Sequence, residues 1–208
     1  MKKLAYSRIV VLTILFFLIW LVELEGGVLR KNPVINLPGV YAGSIVCGDL
    51  NNDELPDIVI IGEAKIDGKF VRIARVYRNT GGGFIEDENP IVGVYFGAVA
   101  LGDYNNDGYL DIAISGIDST DGNVLQIYKN VTSGEEKIKF VLDNLQSDIL
   151  SPENQLRYSS LDWGDYNKDG LLDLAVCGMN PDGEASTKIF KNRGKKTEFF
   201  FYFFDHYY

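Results

Sequence analysis

The stretch DYNNDGYLD (Asp103–Asp111) lies between two apolar runs, FGAVALG before it and IAISG after it. The same nine-residue loop recurs as DLNNDELPD from Asp49 and as DYNKDGLLD from Asp165. Each copy puts Asp, Asn, Asp and Asp at loop positions one, three, five and nine. These are hard oxygen donors on alternate residues, the donor type that Ca²⁺ takes.

The likeness extends beyond the loops. Their first aspartates are spaced by about 54 and 62 residues, which points to a tandem repeat. Upstream, GVYAGSIVCGD (Gly39–Asp49) aligns with GVYFGAVALGD (Gly93–Asp103), while QLRYSSLDWGD (Gln155–Asp165) keeps the pattern. Downstream, IVIIG, IAISG and LAVCG are apolar runs ending in glycine. VYRN, IYKN and IFKN then close the next segment at Asn79, Asn130 and Asn192. Each unit reads as four short strands. In the second unit these are Gly97–Gly102, Ile112–Ser115, Val124–Lys129 and Ile138–Leu142. The turns between them are rich in Gly, Asn and Asp, which tolerate positive φ or bond locally to the backbone. No stretch beyond residue 30 shows helical periodicity.

A single four-stranded unit cannot bury both its faces, so neighbours must stack. The expected fold is all-β. About three propeller-type, four-stranded blades form a partial or open propeller, preceded by an N-terminal hydrophobic helix. The repeats fall at approximately 39–92, 93–154 and 155–208, within a repeat region of 28–208. Ile58, Ile60, Ile112, Ile114, Leu174 and Val176 supply the core between blades. Cys47 aligns with Leu101 and Trp163, and Cys177 with Ser115 and Ile61, so both read as free, buried thiols. A disulfide in an exported chain stays open. Propellers close with about four to eight blades. Three therefore leave a truncated member, an open wedge, or a subunit that completes a ring by self-association.

These residues resemble FG-GAP and VCBS-type repeats, the blades of integrin alpha-chain-like propellers. The resemblance rests on FGAVALGDYNNDGYLDIAISG, its two partners and the Asn-terminated third strands, and it covers about residues 39–195. It implies a calcium-stabilised propeller, usually extracellular and often serving adhesion or recognition. It also implies a ligand set: side chains at positions one, three, five and nine, with the backbone carbonyl of position seven. In the first loop these are Asp49, Asn51, Asp53, Asp57 and the Leu55 carbonyl. In the second they are Asp103, Asn105, Asp107, Asp111 and the Tyr109 carbonyl; in the third, Asp165, Asn167, Asp169, Asp173 and the Leu171 carbonyl. Up to three Ca²⁺ ions are expected. Closely packed carboxylates repel one another without a cation, so binding should weaken in acid. Position six is Glu54 where the other loops have Gly108 and Gly170, and Pro56 follows. The first site should be the weakest or differently shaped.

An EF-hand would need a glutamate at loop position twelve and flanking helices. Position twelve here is Ile60, Ile114 or Val176, inside an apolar run. Metal-free acidic turns are the plainer rival, and three copies in one register argue against it. Catalytic use of the carboxylates would need two environments that push their pKa values apart. Repetition of one turn suits a metal better, and the single histidine, His206, lies in the C-terminal tail.

Residues 1–27 carry Lys2, Lys3 and Arg8 ahead of an apolar run from Ile9 to Val22 that is interrupted only by Thr13. That pattern fits a secretory signal better than a full span. Glu23 and Glu25 disturb the region where cleavage would occur, so signal peptide and uncleaved signal-anchor both stay open. The net charge of −9 argues against a nucleic-acid partner, because phosphate binding needs a basic face. Asn130-Val131-Thr132 is a glycosylation sequon, and the aromatic tail TEFFFYFFDHYY falls where the third unit needs its fourth strand. The functional expectation is a non-enzymatic protein at the cell surface or outside the cell, recognising a protein or glycan ligand. Membrane contact would come only through the N-terminal segment. The alternatives are an accessory substrate-binding module of a secreted enzyme and a structural spacer.

Overall fold

β-Branched residues dominate segments such as DIVIIGEAKI and favour extended backbone, while the Gly- and Asp-rich corners between segments favour hairpins. The computed structural model describes residues 35–134, 137–144 and 147–194. From Leu37 to Gly194 the described residues form one unit, built of three antiparallel sheets. The first contains β1 (Val40–Gly48), β2 (Asp57–Ile66), β3 (Lys69–Asn79) and β4 (Phe84–Asp87), hydrogen-bonded in that order. The second repeats the order with β5 (Tyr95–Gly102), β6 (Asp111–Ile117), β7 (Asn123–Asn130) and β8 (Phe140–Leu142). The third contains β9 (Arg157–Gly164), β10 (Asp173–Met179) and β11 (Ala185–Phe190).

Register is conserved between the sheets. Gly48 pairs with Asp57, Gly102 with Asp111 and Gly164 with Asp173, so every acidic loop closes the same hairpin. Two apolar layers hold the sheets together. One joins Leu50, Val59, Ile61 and Val76 to Val94, Val99, Ile112 and Ile114. The other joins Ala100, Tyr104, Ala113 and Ile127 to Leu156, Leu161, Leu174 and Val176. The sheets form an open stack, and among the described residues they do not close into a ring.

The structure departs from the sequence reading at two points, and a third part of that reading falls outside the described residues. First, the connection into the third sheet contains one helical turn, α1 (Ser147–Leu150), and a 3-10 turn at Pro152–Asn154. Periodicity cannot register so short a segment, and it forms because Ile149 packs into the second layer. Second, both cysteines are free but exposed. Cys47 faces away from the second sheet and Cys177 away from it on the far side, so neither finds the neighbour that covers its aligned residues. Third, the signal segment with its helix, the aromatic tail and His206 lie outside the described residues, so the expected fourth strand of the third unit is not among them.

Each inner strand is bent at the same place. Ala42, Phe96 and Tyr158 adopt φ of 47°, 47° and 48°, and pairing slips beside each of them. The slip draws Gly97 against β6. A methyl group there would lie 1.8 Å from the Ser115 carbonyl oxygen. Gly97→Ala is expected to lower stability by about 1–3 kcal/mol through overpacking, read from urea unfolding. Tyr128 is anchored between two groups: its hydroxyl donates to Gln126 Oε1 at 2.7 Å and accepts from the Val92 amide at 3.0 Å. Tyr128→Phe strands that amide and is expected to cost about 1–2 kcal/mol in the same assay.

Candidate metal centre

The three loops share one internal hydrogen-bond pattern, because a short carboxylate at position one can reach the amides that the turn leaves unpaired. Asp103 accepts from the Asp107 amide at 3.0 Å and from the Gly108 amide at 2.9 Å. Asp165 does the same with Asp169 and Gly170, at 3.0 and 2.8 Å. Asp49 matches them with Asp53 and Glu54, at 3.1 and 2.9 Å. At position five, Asp53, Asp107 and Asp169 each accept from the amide of position seven. The first loop therefore keeps the common shape despite its Glu. Glu54 adopts φ 68° where Gly108 and Gly170 adopt 90° and 83°. A non-glycine residue held there costs on the order of 1 kcal/mol.

Position nine is buried in all three copies, at Asp57, Asp111 and Asp173. Each accepts from a backbone amide at the far end of the third strand: Asn79 and Asn130, the last residues of β3 and β7, and Asn192, two residues beyond β11, at 2.8, 2.8 and 2.7 Å. Burial raises the pKa of Asp57 above the usual carboxylate range, and the Asp53 and Asp49 charges add to the rise. The Asn79 and Leu50 amides oppose it. Asp111 is pushed up to about 7, chiefly by burial and further by Asp107 and Asp103, against the pull of the Asn130 amide. Negative charge is thus crowded at the base of the second loop.

The donor set suits a hard cation. It is all oxygen, and in the second loop Asn105 Oδ1 is buried with no hydrogen-bond partner. Among the described residues no three His, Cys, Asp or Glu side chains converge closely enough to hold an ion by themselves. An ion here would depend also on the amide oxygens at position three and on backbone carbonyls. Those amides differ between copies: Asn51 donates to Asp53 Oδ2 at 2.9 Å, and Asn167 donates to Asp173 Oδ2 at 3.1 Å. In the third loop Lys191 sits 3.5 Å from Asp169 Oδ2, a resident cation on one proposed ligand.

The residues that sequence reasoning missed are the asparagines that join one loop to the next. At position four, Asn52 Nδ2 donates to the Gly108 carbonyl and Asn106 Nδ2 to the Gly170 carbonyl, both at 3.1 Å. In the opposite direction, Asn130 Nδ2 donates to the Leu50 carbonyl and Asn192 Nδ2 to the Tyr104 carbonyl, both at 2.7 Å. Their recurrence in register was the available signal. The sequon at Asn130 is explained by the same network: Asn130 is buried, its Nδ2 also bonds the Leu110 carbonyl, and its Oδ1 caps the Thr132 amide. The folded chain offers that nitrogen to no glycan.

Stacked antiparallel sheets with a common hairpin loop, cross-linked loop to loop, define a tandem blade-type repeat. Residues 49–114 match the family model of the FG-GAP-like repeat, so the chain carries FG-GAP-type repeat sequence. That segment runs from the first acidic loop through the second loop into β6. No curated protein and no solved structure matches the chain.

Proposed function

We propose that this chain is an exported, calcium-binding, non-enzymatic repeat protein of β-propeller type that serves recognition or adhesion at the cell surface. The observation that carries the calcium reading is the second loop, where the buried Asp111 carboxyl, raised to about 7, shares the loop with a buried oxygen without a partner, Asn105 Oδ1. Asp103, Asn105, Asp107, Asp111 and the Tyr109 carbonyl would hold the ion there. The corresponding residues from Asp49 to Asp57 and from Asp165 to Asp173 would form the other two sites. What the ion supplies is positive charge among crowded carboxylates. The chain's own residues supply the frame: position-one carboxylates shape the turn, and the asparagines tie each turn to its neighbour. The first site, with Glu54 in a left-handed conformation, is the weakest of the three.

Recognition is supported by the division of labour in the fold, in which rigid stacked sheets present variable turns at their far ends. Isothermal titration of the metal-free chain with Ca²⁺ tests the first part, and the expected outcome is unequal sites. No heat of binding at calcium concentrations found outside cells overturns it. Screening the calcium-loaded chain against glycan and protein arrays tests the second part, and a blank screen favours the spacer reading.

A further inference from the structure

At the end of the sheets away from the acidic loops, aromatic and charged side chains alternate across the junction between the first and second sheets. Directly paired residues of an antiparallel ladder share a face, and so do alternate residues of one strand. Tyr41 pairs with Glu63, Glu63 with Arg72, and Lys65 with Phe70. Val59, Ile61 and Val76 lie on that same face and belong to the apolar layer shared with the second sheet. The five side chains therefore look toward the second sheet, where that layer opens to solvent. Both walls of this mouth are present, so its shape does not depend on what flanks the stack.

Phe70 is 64% exposed and meets the Tyr41 ring edge to face, with centroids 6.1 Å apart. The Lys65 ammonium lies 5.9 Å from the centre of the Phe70 ring. The Tyr41 hydroxyl donates to Glu63 Oε2. On the opposite wall, Tyr95 takes the Arg72 guanidinium over its ring at 4.1 Å. Asp121, in the turn between β6 and β7, accepts from Arg72 Nη2 at 2.6 Å. The Glu63 and Arg72 side chains are mostly covered, while that of Asp121 is 80% exposed.

Three features define the ligand class. The rings offer apolar surface, but charged groups separate them, which does not suit a continuous apolar partner. Those charges balance, Glu63 and Asp121 against Lys65 and Arg72, so no charged ligand is favoured. Asp121 and Lys65 reach solvent beside the rings, one as an acceptor and the other as a donor. A neutral sugar meets all three conditions. Its C–H face packs on an aromatic ring, and the hydroxyls at its rim bond to the charged groups. We infer that this mouth binds a chain of neutral β-linked pyranoses, whose equatorial hydroxyls leave the C–H faces clear. The inference rests on the recognition reading above and gives it a site and a ligand class.

Isothermal titration of the full calcium-loaded chain with cellohexaose and with chitohexaose tests it. At least one is expected to bind with a dissociation constant below about 1 mM. Phe70→Ala and Tyr41→Ala should each weaken that binding about tenfold. Ile85→Ala, an equally exposed apolar position on β4 outside the mouth, should leave it unchanged. Melting curves check that the variants keep the fold. No binding of either sugar at millimolar concentration overturns the inference. So does binding that Phe70→Ala and Tyr41→Ala leave unchanged. A protein ligand found in the array screen, with both sugars inert, removes this inference alone and leaves the recognition reading standing.

Discussion

Calcium added to the metal-free chain raises its melting temperature by at least about 5 °C, and a chelator reverses the shift. The size follows from linkage. One site at about a hundred times its dissociation constant adds about 2.7 kcal/mol to the folded state. In a protein of this size each kcal/mol moves the midpoint by about 2–4 °C. The cause lies in the loops. Asp111 is buried beside Asp103 and Asp107, and its carboxyl is raised to about 7 chiefly by burial and further by those two charges, more than the Asn130 and Tyr104 amides lower it. Asp111→Asn separates the two roles of this residue. The amide oxygen can still accept from the Asn130 amide, so the metal-free variant should be as stable as the parent or more so. It should bind one ion fewer and respond less to calcium. A variant that is destabilised without calcium yet keeps the parent's stoichiometry would show that Asp111 only supports the hairpin.

Replacing Asn130 with alanine should cost about 3 kcal/mol, measured by urea unfolding in the absence of metal. The side chain is buried and makes three hydrogen bonds: to the Leu50 carbonyl at 2.7 Å, to the Leu110 carbonyl at 3.1 Å and from the Thr132 amide at 2.9 Å. Truncation strands those groups where water reaches poorly, and each costs about 1 kcal/mol or more. Asn79 supplies the control. It occupies the same place in the first unit, but its Nδ2 bonds the Pro56 carbonyl of its own loop and it reaches no preceding one. Asn79→Ala should cost about 1 kcal/mol or less. Equal losses at the two positions would mean that the bond between loops adds nothing.

The contrast shows why parts of the site were legible in the chain and others were not. The hairpin corner was visible because its determinants are close in sequence: Asp103 bonds amides four and five residues on. The strain expected at Glu54 appears as φ 68°; of the two outcomes expected for the first site, weaker or differently shaped, the change of shape does not appear, because Asp49 holds the same two amides as its counterparts. The asparagines of VYRN, IYKN and IFKN stood out as a motif without a stated role. The partner of Asn130 is 80 residues away, and that of Asn192 is 88 residues away. Nothing in the motif names a carbonyl at such a separation. The cysteines failed as core residues for a related reason. Alignment shows that a position packs in one copy, and it says nothing about whether a neighbour exists in another.

Taken alone, the sequence determined the all-β class, the four-stranded unit, the three acidic corners and the order of strands within a unit. Period-two patterning, turn residues and short-range hydrogen bonds act over a few residues and survive any arrangement of the units. Only the tertiary structure decided which carbonyls the asparagines reach, which faces of the stack are covered and which aspartates are driven out of their usual range. Those properties depend on packing one unit against the next. Packing sets burial, and burial decides what an unpaired carbonyl or a crowded carboxylate costs.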